Sequence, residues 1–178
     1  MPDYHALPLG ADAPHVVNAV IEITKGSRNK YEYDEALGTF KLDRVLSSAM
    51  VYVVDYGFLP QTLAGDGDPA DVLVMVDEPT FTGCVLPVRP VGMMKMEDEG
   101  EDFKILAVPA GDKRFDPITR LDEVSPHRLA ELEHFFKAYK TLDNTFPAVD
   151  GWFTAEEALA YVTKCHRAYL AGHEPAKR

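Results

Sequence analysis

Three carboxylates fall within six residues in the stretch GDGDPAD, where Asp66, Asp68 and Asp71 are spaced by a glycine, a proline and an alanine. Like charges this close disfavour one another's ionisation, the more so where water is excluded, so a turn of this composition calls for a cation. An EF-hand calcium loop needs Asp at positions 1, 3 and 5, Gly at 6 and Glu at 12. Counted from Asp66, position 5 is Ala70, position 6 is Asp71 and position 12 is Asp77, so that template fails. The donors are oxygen only, a set that suits Mg²⁺, Ca²⁺ or Mn²⁺ rather than zinc or copper. A solvated acidic turn fits the same residues, because Asp-Gly and Asp-Pro are common turn formers.

A second acidic cluster, EDEGED from Glu97 to Asp102, puts five more carboxylates around Gly100, between two apolar segments. One acidic hairpin tip is ordinary; two in one chain suit the walls of a site holding several metal ions, although two exposed tips would have the same composition. Cations are interleaved with these clusters: Lys30 beside Glu32, Arg44 at the end of KLDR, Lys104, and Tyr139 with Lys140. Taken singly, each is a solvated lysine or an amphipathic tyrosine with its tip in water.

The elements that must position these groups change period along the chain. The N-terminal two-thirds reads as short strands broken by Gly, Pro and Asp: NAVIEITK, KYEYD, TFKLD, VYVV, VLVMV, CVLPVRPVGMMKM and DFKILAVP. Alternation puts Lys30 and Glu32 on one face of KYEYD, and Asp102 and Lys104 on one face of DFKILAVP. The C-terminal third turns helical. Ser125-Pro126 is a start signal, followed by Leu129, Leu132, Phe136 and Tyr139 at helical spacing. A second helix starts at Thr154 with Glu157 three residues on, a capping box, and stops at Gly172. Strands first and helices after predict an α+β, mainly β, chain.

Length and charge bound the function. A chain of 178 residues suits one domain over 1–178. Its net charge of −11 argues against nucleic acid and anionic membrane as partners, while leaving room for a small anion in a cleft lined by its own cations. No apolar run approaches the ~20 residues of a spanning helix, and the N-terminus lacks a secretory pattern, so the expected address is cytoplasmic. Cys84 and Cys165, far apart and without a CxxC, are expected to be free thiols.

The order of these motifs resembles the soluble family I inorganic pyrophosphatases of bacterial type, from VIEI at Val20 to AYK at Lys140. DGDPADVLV matches the family signature of Asp-x-Asp-Pro-x-Asp before an apolar strand, and KYEYD, DRVLSSAMVYVVDYGF, RPVGMMKMEDEGEDFK and HFFKAYK follow in family order. The resemblance implies a five-stranded OB-like closed barrel with two C-terminal helices packed outside. It also implies Mg²⁺-dependent hydrolysis of pyrophosphate to two orthophosphates, with Mn²⁺ or Zn²⁺ as possible substitutes, in a homohexamer.

Residue by residue, the resemblance makes Asp66, Asp71 and Asp102 the tightest metal ligands, and Asp98 and Asp102 ligands of metal arriving with substrate. Glu22 is implied as a ligand of a weaker ion, and Asp68 as the general base. Lys30, Arg44, Tyr56, Lys104, Tyr139 and Lys140 match phosphate-binding positions, Glu32 would position Lys30, and Tyr52 is a further site tyrosine. Three departures stand out. Asp55 occupies a place where the family often has Asn, and is expected to add charge beside Tyr56. The acidic loop is one residue shorter than in a familiar bacterial pattern. His134 matches a subunit-contact histidine whose partner one turn on is here Ala138. A barrel that binds metal or a phosphorylated ligand without turnover is the alternative; an oligonucleotide-binding module would need a basic groove with exposed aromatics.

Overall fold

The computed structural model describes residues 3–97 and 100–172. Eight strands come first in chain order, interrupted late by a helix: β1 (Val17–Ile23), β2 (Asn29–Asp34), β3 (Thr39–Val45), β4 (Asp55–Phe58), β5 (Asp71–Val74), β6 (Val85–Glu97), β7 (Glu101–Pro109), helix α1 (Pro126–Ala138), β8 (Ala148–Phe153) and helix α2 (Ala155–Gly172). Strands β1, β4, β5, β7 and β6 pair in that order, and β6 pairs back onto β1, closing a five-stranded ring. All contacts in the ring are antiparallel except β5 with β7, which is parallel. The mainly β, OB-like barrel with two helices is therefore the architecture.

Closure makes one glycine obligatory. A Cβ on Gly57 would lie 1.9 Å from the carbonyl oxygen of Val20, so β4 can cross β1 this closely only without a side chain there. Alternation along the strands feeds two apolar clusters. Leu73, Leu106 and Val108 join Leu132, Phe135 and Phe136 of α1, whereas Val72, Val74, Ile105 and Ala107 join Val162 and Cys165 of α2. Both helices cap as their sequences dictate in part. Pro126 opens α1 without a side-chain cap from Ser125, while Thr154 and Glu157 form a reciprocal capping box at α2.

Three segments depart from the sequence reading. VYVV is not a strand: the ladder starts at Asp55, and Tyr52 pairs instead with the loop after β1, through Gly26 N–H to Tyr52 O at 2.7 Å and Tyr52 N–H to Ser27 O at 2.9 Å. Strands β2 and β3 form a two-stranded hairpin outside the ring. Strand β8 extends the sheet from β6, through residues whose alternation is broken by Asp150 and Gly151.

Candidate active site

The GDGDPAD turn sits between two strands of the ring. Gly67, at φ +97°, supplies the left-handed residue that closes it. Ala64 N–H donates to Asp68 O at 2.7 Å, and Asp66 Oδ1 accepts from Asp68 N–H at 3.1 Å. Asp71, where the turn ends, opens β5 and lies in register with Lys104 on β7.

That register builds a buried knot of charge. Lys104, only 3% exposed, places its Nζ 2.7 Å from Asp71 Oδ2 and 2.9 Å from Asp102 Oδ2, and donates to Tyr56 Oη at 3.1 Å. The Tyr56 hydroxyl in turn donates to Asp71 Oδ2. Burial works to lower the Lys104 pKa, but the two carboxylates outweigh it and hold the ammonium above its usual range. Burial, followed by the charges of Asp71 and Asp102, pushes Tyr56 well up, so its hydroxyl stays a donor. Asp102 is raised by burial against the pull of Lys104.

A cleft of about 270 Å³ opens beside the knot, lined among others by His5, Glu22, Lys30, Glu32, Asp68 and Asp71. Glu22 reaches it because of a register shift. Ile21 pairs with Gly57 and Ile23 with Tyr56, leaving Glu22 as the extra residue of a bulge, a device that re-aims a side chain. Burial pushes the Glu22 carboxyl up to about 8, opposed by the Tyr33 N–H it accepts at 2.8 Å and reinforced by Asp71 and Glu32. Asp68 is likewise raised, first by partial burial and then by Asp66, Asp71 and Glu32. A smaller cleft of about 100 Å³ lies on the other side of the turn, bounded by Asp66, Asp71, Asp102, Tyr161 and Lys164.

The cations stand on the β2–β3 hairpin and at the end of α1. Lys30 pairs across the hairpin with Arg44, and a second shift leaves Asp43 bulged between their ladders. Lys30 donates to Glu32 and lies 3.4 Å from Asp43, to which Arg44 Nε comes within 3.2 Å. Tyr52, Tyr56 and Tyr139 are joined through Phe135 and Phe136. Tyr52 meets Tyr56 at 5.7 Å and Phe135 at 4.8 Å, and Tyr139 stacks on Phe135 at 5.1 Å. Lys140 lies over the Tyr139 ring at 5.5 Å. A hydrogen bond from Ser47 Oγ to Asp143 Oδ1 ties the end of the hairpin to the turn after Lys140.

The structure thus gathers Glu22, Lys30, Glu32, Tyr56, Asp66, Asp68 and Asp71 around one cleft, with Asp102 and Lys104 beneath it. Tyr52 and Tyr139 are connected to that group by their rings, and Tyr52 also walls a separate cavity of about 400 Å³. Asp98 lies outside the described residues. Glu101, in the same acidic loop, pairs outward with Lys95 at 2.8 Å. Asp55 does not add charge beside Tyr56: its carboxylate accepts from Lys25 N–H and from Thr80, because neighbours on a strand point to opposite faces. His5, which the sequence reading passed over, enters the cleft from the N-terminal segment. It is held edge-on by Tyr33 at 5.1 Å and Phe58 at 4.9 Å, and its ligand atom lies within 4.8 Å of those of Asp3 and Glu35. No local pattern marked it.

The donor set fits a hard divalent cation. Asp66, Asp68, Asp71, Asp102 and Glu22 offer oxygen alone, as Mg²⁺ requires. Asp71 commits Oδ2 to Tyr56 and Lys104, which leaves Oδ1 for a cation.

Residues 19–170 match the family model described as inorganic pyrophosphatase. The chain is 49% identical over 157 residues to the inorganic pyrophosphatase of Nostoc sp., covering 88% of this chain and 93% of that relative. It is 47% identical over 171 residues to the soluble inorganic pyrophosphatase of Zea mays, covering 94% and 80%. The crystal structure of inorganic pyrophosphatase from Thermus thermophilus superposes with a TM-score of 0.93 at 46% identity, covering 95% of this chain and 99% of that one. With the carboxylate turn, the closed ring and likeness of this extent all in agreement, the chain belongs to the soluble family I inorganic pyrophosphatases.

Proposed function

We propose that this chain hydrolyses inorganic pyrophosphate to two orthophosphates, with Mg²⁺ as cofactor and Mn²⁺ or Zn²⁺ as substitutes. The observation that carries the reading is the convergence, on one cleft, of oxygen-only donors with a lysine and with Asp68, inside a chain of this family.

Asp66, Asp71, Asp102 and Glu22 would hold the metal ions, together with Asp98. Held there, divalent cations would offset the charge of pyrophosphate and lower the pKa of water so that it could lose a proton near neutral pH. Asp68 is the general base. It stands on the exposed turn, its carboxyl is raised by partial burial and then by its carboxylate neighbours, and it can take a proton from a water in the cleft. Lys30, Arg44, Tyr139 and Lys140 hold the phosphoryl oxygens and stabilise the charge that builds on the departing phosphate. Glu32 fixes the Lys30 ammonium through their ion pair. Tyr56 and Lys104 fix Asp71, and Lys104, at a phosphate-binding position by the resemblance, acts from beneath the cleft with its ammonium on Asp71, Asp102 and Tyr56. Tyr52 packs the aromatic row on which Tyr139 stands.

The proposal extends to one domain over 1–178, and to a homohexamer in the cytoplasm, which rests on the resemblance to the bacterial type. Among the described residues no helix is long and apolar enough to cross a membrane.

The decisive measurement is phosphate release from pyrophosphate with added Mg²⁺. Release should stop on chelation and nearly vanish in Asp68→Asn. Mg²⁺ binding without phosphate release, over a range of pH and Mg²⁺, would leave the non-catalytic barrel as the reading.

A further inference from the structure

Asp55 is a buried carboxylate for which the hydrolysis above has no use. It is 0% exposed, and among the described residues no lysine, arginine or histidine forms an ion pair with it. Its Oδ1 accepts from Lys25 N–H at 2.7 Å, and its Oδ2 accepts from Thr80 N–H at 3.0 Å and from the Thr80 hydroxyl at 2.6 Å. The Lys25 ammonium crosses to the same second loop, donating to Val76 O at 3.1 Å and Asp77 O at 2.9 Å. One side chain therefore fastens two loops to the start of β4: the loop after β1 and the loop between β5 and β6.

Each loop leads to a residue of the cleft or its aromatic support. The first holds Tyr52 by the pair of backbone bonds through Gly26 and Ser27. The second holds the bulge of β1, since Thr82 Oγ1 donates to Glu22 O at 3.0 Å and Gly83 N–H to Ile21 O at 2.7 Å. We propose that Asp55 is a positioning residue for pyrophosphate hydrolysis, acting through these two loops on Glu22 and Tyr52; this rests on the function proposed above.

In this chain, with Asp where the family often has Asn, both side-chain oxygens serve as acceptors of the two loops. Both oxygens face a backbone N–H, so in Asp55→Asn the new NH₂ must meet either Lys25 N–H or Thr80 N–H, and one buried donor loses its acceptor. The substitution is otherwise isosteric, which makes it the variant to test.

The experiment compares wild type, Asp55→Asn and Thr80→Val in steady-state kinetics with pyrophosphate, Mg²⁺ calorimetry and thermal melting. In Asp55→Asn, well below its melting temperature, KM should rise and Mg²⁺ affinity should fall, each by about tenfold, with kcat within about twofold, matching one lost buried hydrogen bond. Thr80→Val keeps the N–H and removes only the hydroxyl, so it should move the same two quantities in the same direction by about threefold. A lowered melting temperature with unchanged KM and Mg²⁺ affinity would overturn the proposal, leaving a purely structural anchor. If Asp55→Asn does not fold, Thr80→Val decides by the same criterion. Absent turnover in wild type would sink the pyrophosphatase reading alone, because the Mg²⁺ isotherms would still compare Asp55 with its variant.

Discussion

The two walls of the cleft are built differently. The acidic wall grows out of the ring: Asp71 and Asp102 lie on β5 and β7, in and beside the register that seats Lys104, and their charges are knotted below the surface. The cations proposed for the substrate side stand on the hairpin outside the ring and at the end of α1: Lys30 lines the cleft itself, and Arg44 on the hairpin is exposed and pairs with its neighbour Asp43. Groups that repel one another are held by the barrel; groups proposed to meet the anion are held by elements outside the ring. Damage to the first wall should therefore reach stability as well as chemistry, and damage to the second chemistry alone.

The turn carrying Asp68 tests where that division begins. Asp68 belongs to the acidic wall by sequence, yet it is exposed and makes no ion pair among the described residues. Asp68→Asn should lower kcat by about 10³-fold, near 4 kcal/mol of transition-state stabilisation, with the melting temperature unchanged. A drop in melting temperature would place the whole turn in the structural part of the wall.

Lys104 sharpens the comparison from the other side. Lys104→Ala strands two carboxylates against each other in a buried setting, and losing one partner of such a group costs about 3 kcal/mol or more. Chemical denaturation should show that loss at neutral pH. It should shrink as acid protonates Asp102, since the neutral acid no longer needs the ammonium. An equal loss at every pH would assign the effect to packing against Tyr56 and Phe136, over whose rings the ammonium lies.

How much of this was legible in the residues divides along the same line. The acidic wall could be read: DGDPAD is contiguous and runs straight into the apolar VLVMV, and Asp102 and Lys104 are two apart on one strand face. Most strands and both helices followed from period, whereas the closure into a five-stranded ring came with the resemblance. The bulges could not be read, because an extra residue in a ladder is set by the partner strand, and nothing in VIEI marks Glu22 as the one displaced. VYVV has strand composition but pairs with a loop, and His5 arrives from a segment without pattern. Asp55 looked like added charge beside Tyr56 until the alternation of β4 sent it to the opposite face, among backbone donors far along the chain.

Glu22 puts the bulge to a pH test. Without metal, burial holds its carboxyl near 8, above the ordinary carboxylate value of 4.5. Below the ordinary value both folded and unfolded chains carry the proton. Between there and about 8 the folded chain keeps a proton that the unfolded chain has released, so stability falls as pH rises through that window, by up to about 1.4 kcal/mol per pH unit for one group. Denaturation of chelator-treated protein from pH 5 to 8 should show this decline, and Glu22→Gln should flatten it. A profile identical in wild type and variant would mean that the bulge leaves Glu22 solvated.

Arg44 should give the smallest effect and the cleanest one. Its guanidinium is about half exposed and bound to Asp43, an arrangement worth little to the fold because water screens the pair. Arg44→Ala should leave the unfolding free energy within the roughly ±0.5 kcal/mol typical of surface changes. Losing one cation from the substrate side should still raise KM for pyrophosphate about fivefold to tenfold, near 1 kcal/mol, with the increase smaller at high salt. The salt dependence is what separates the walls. Lys104 is buried against a part-buried Asp71, and that pair should respond little to ionic strength, whereas a contribution from Arg44 that survived 1 M salt undiminished would mean that the hairpin closes over substrate and excludes water as firmly as the ring does.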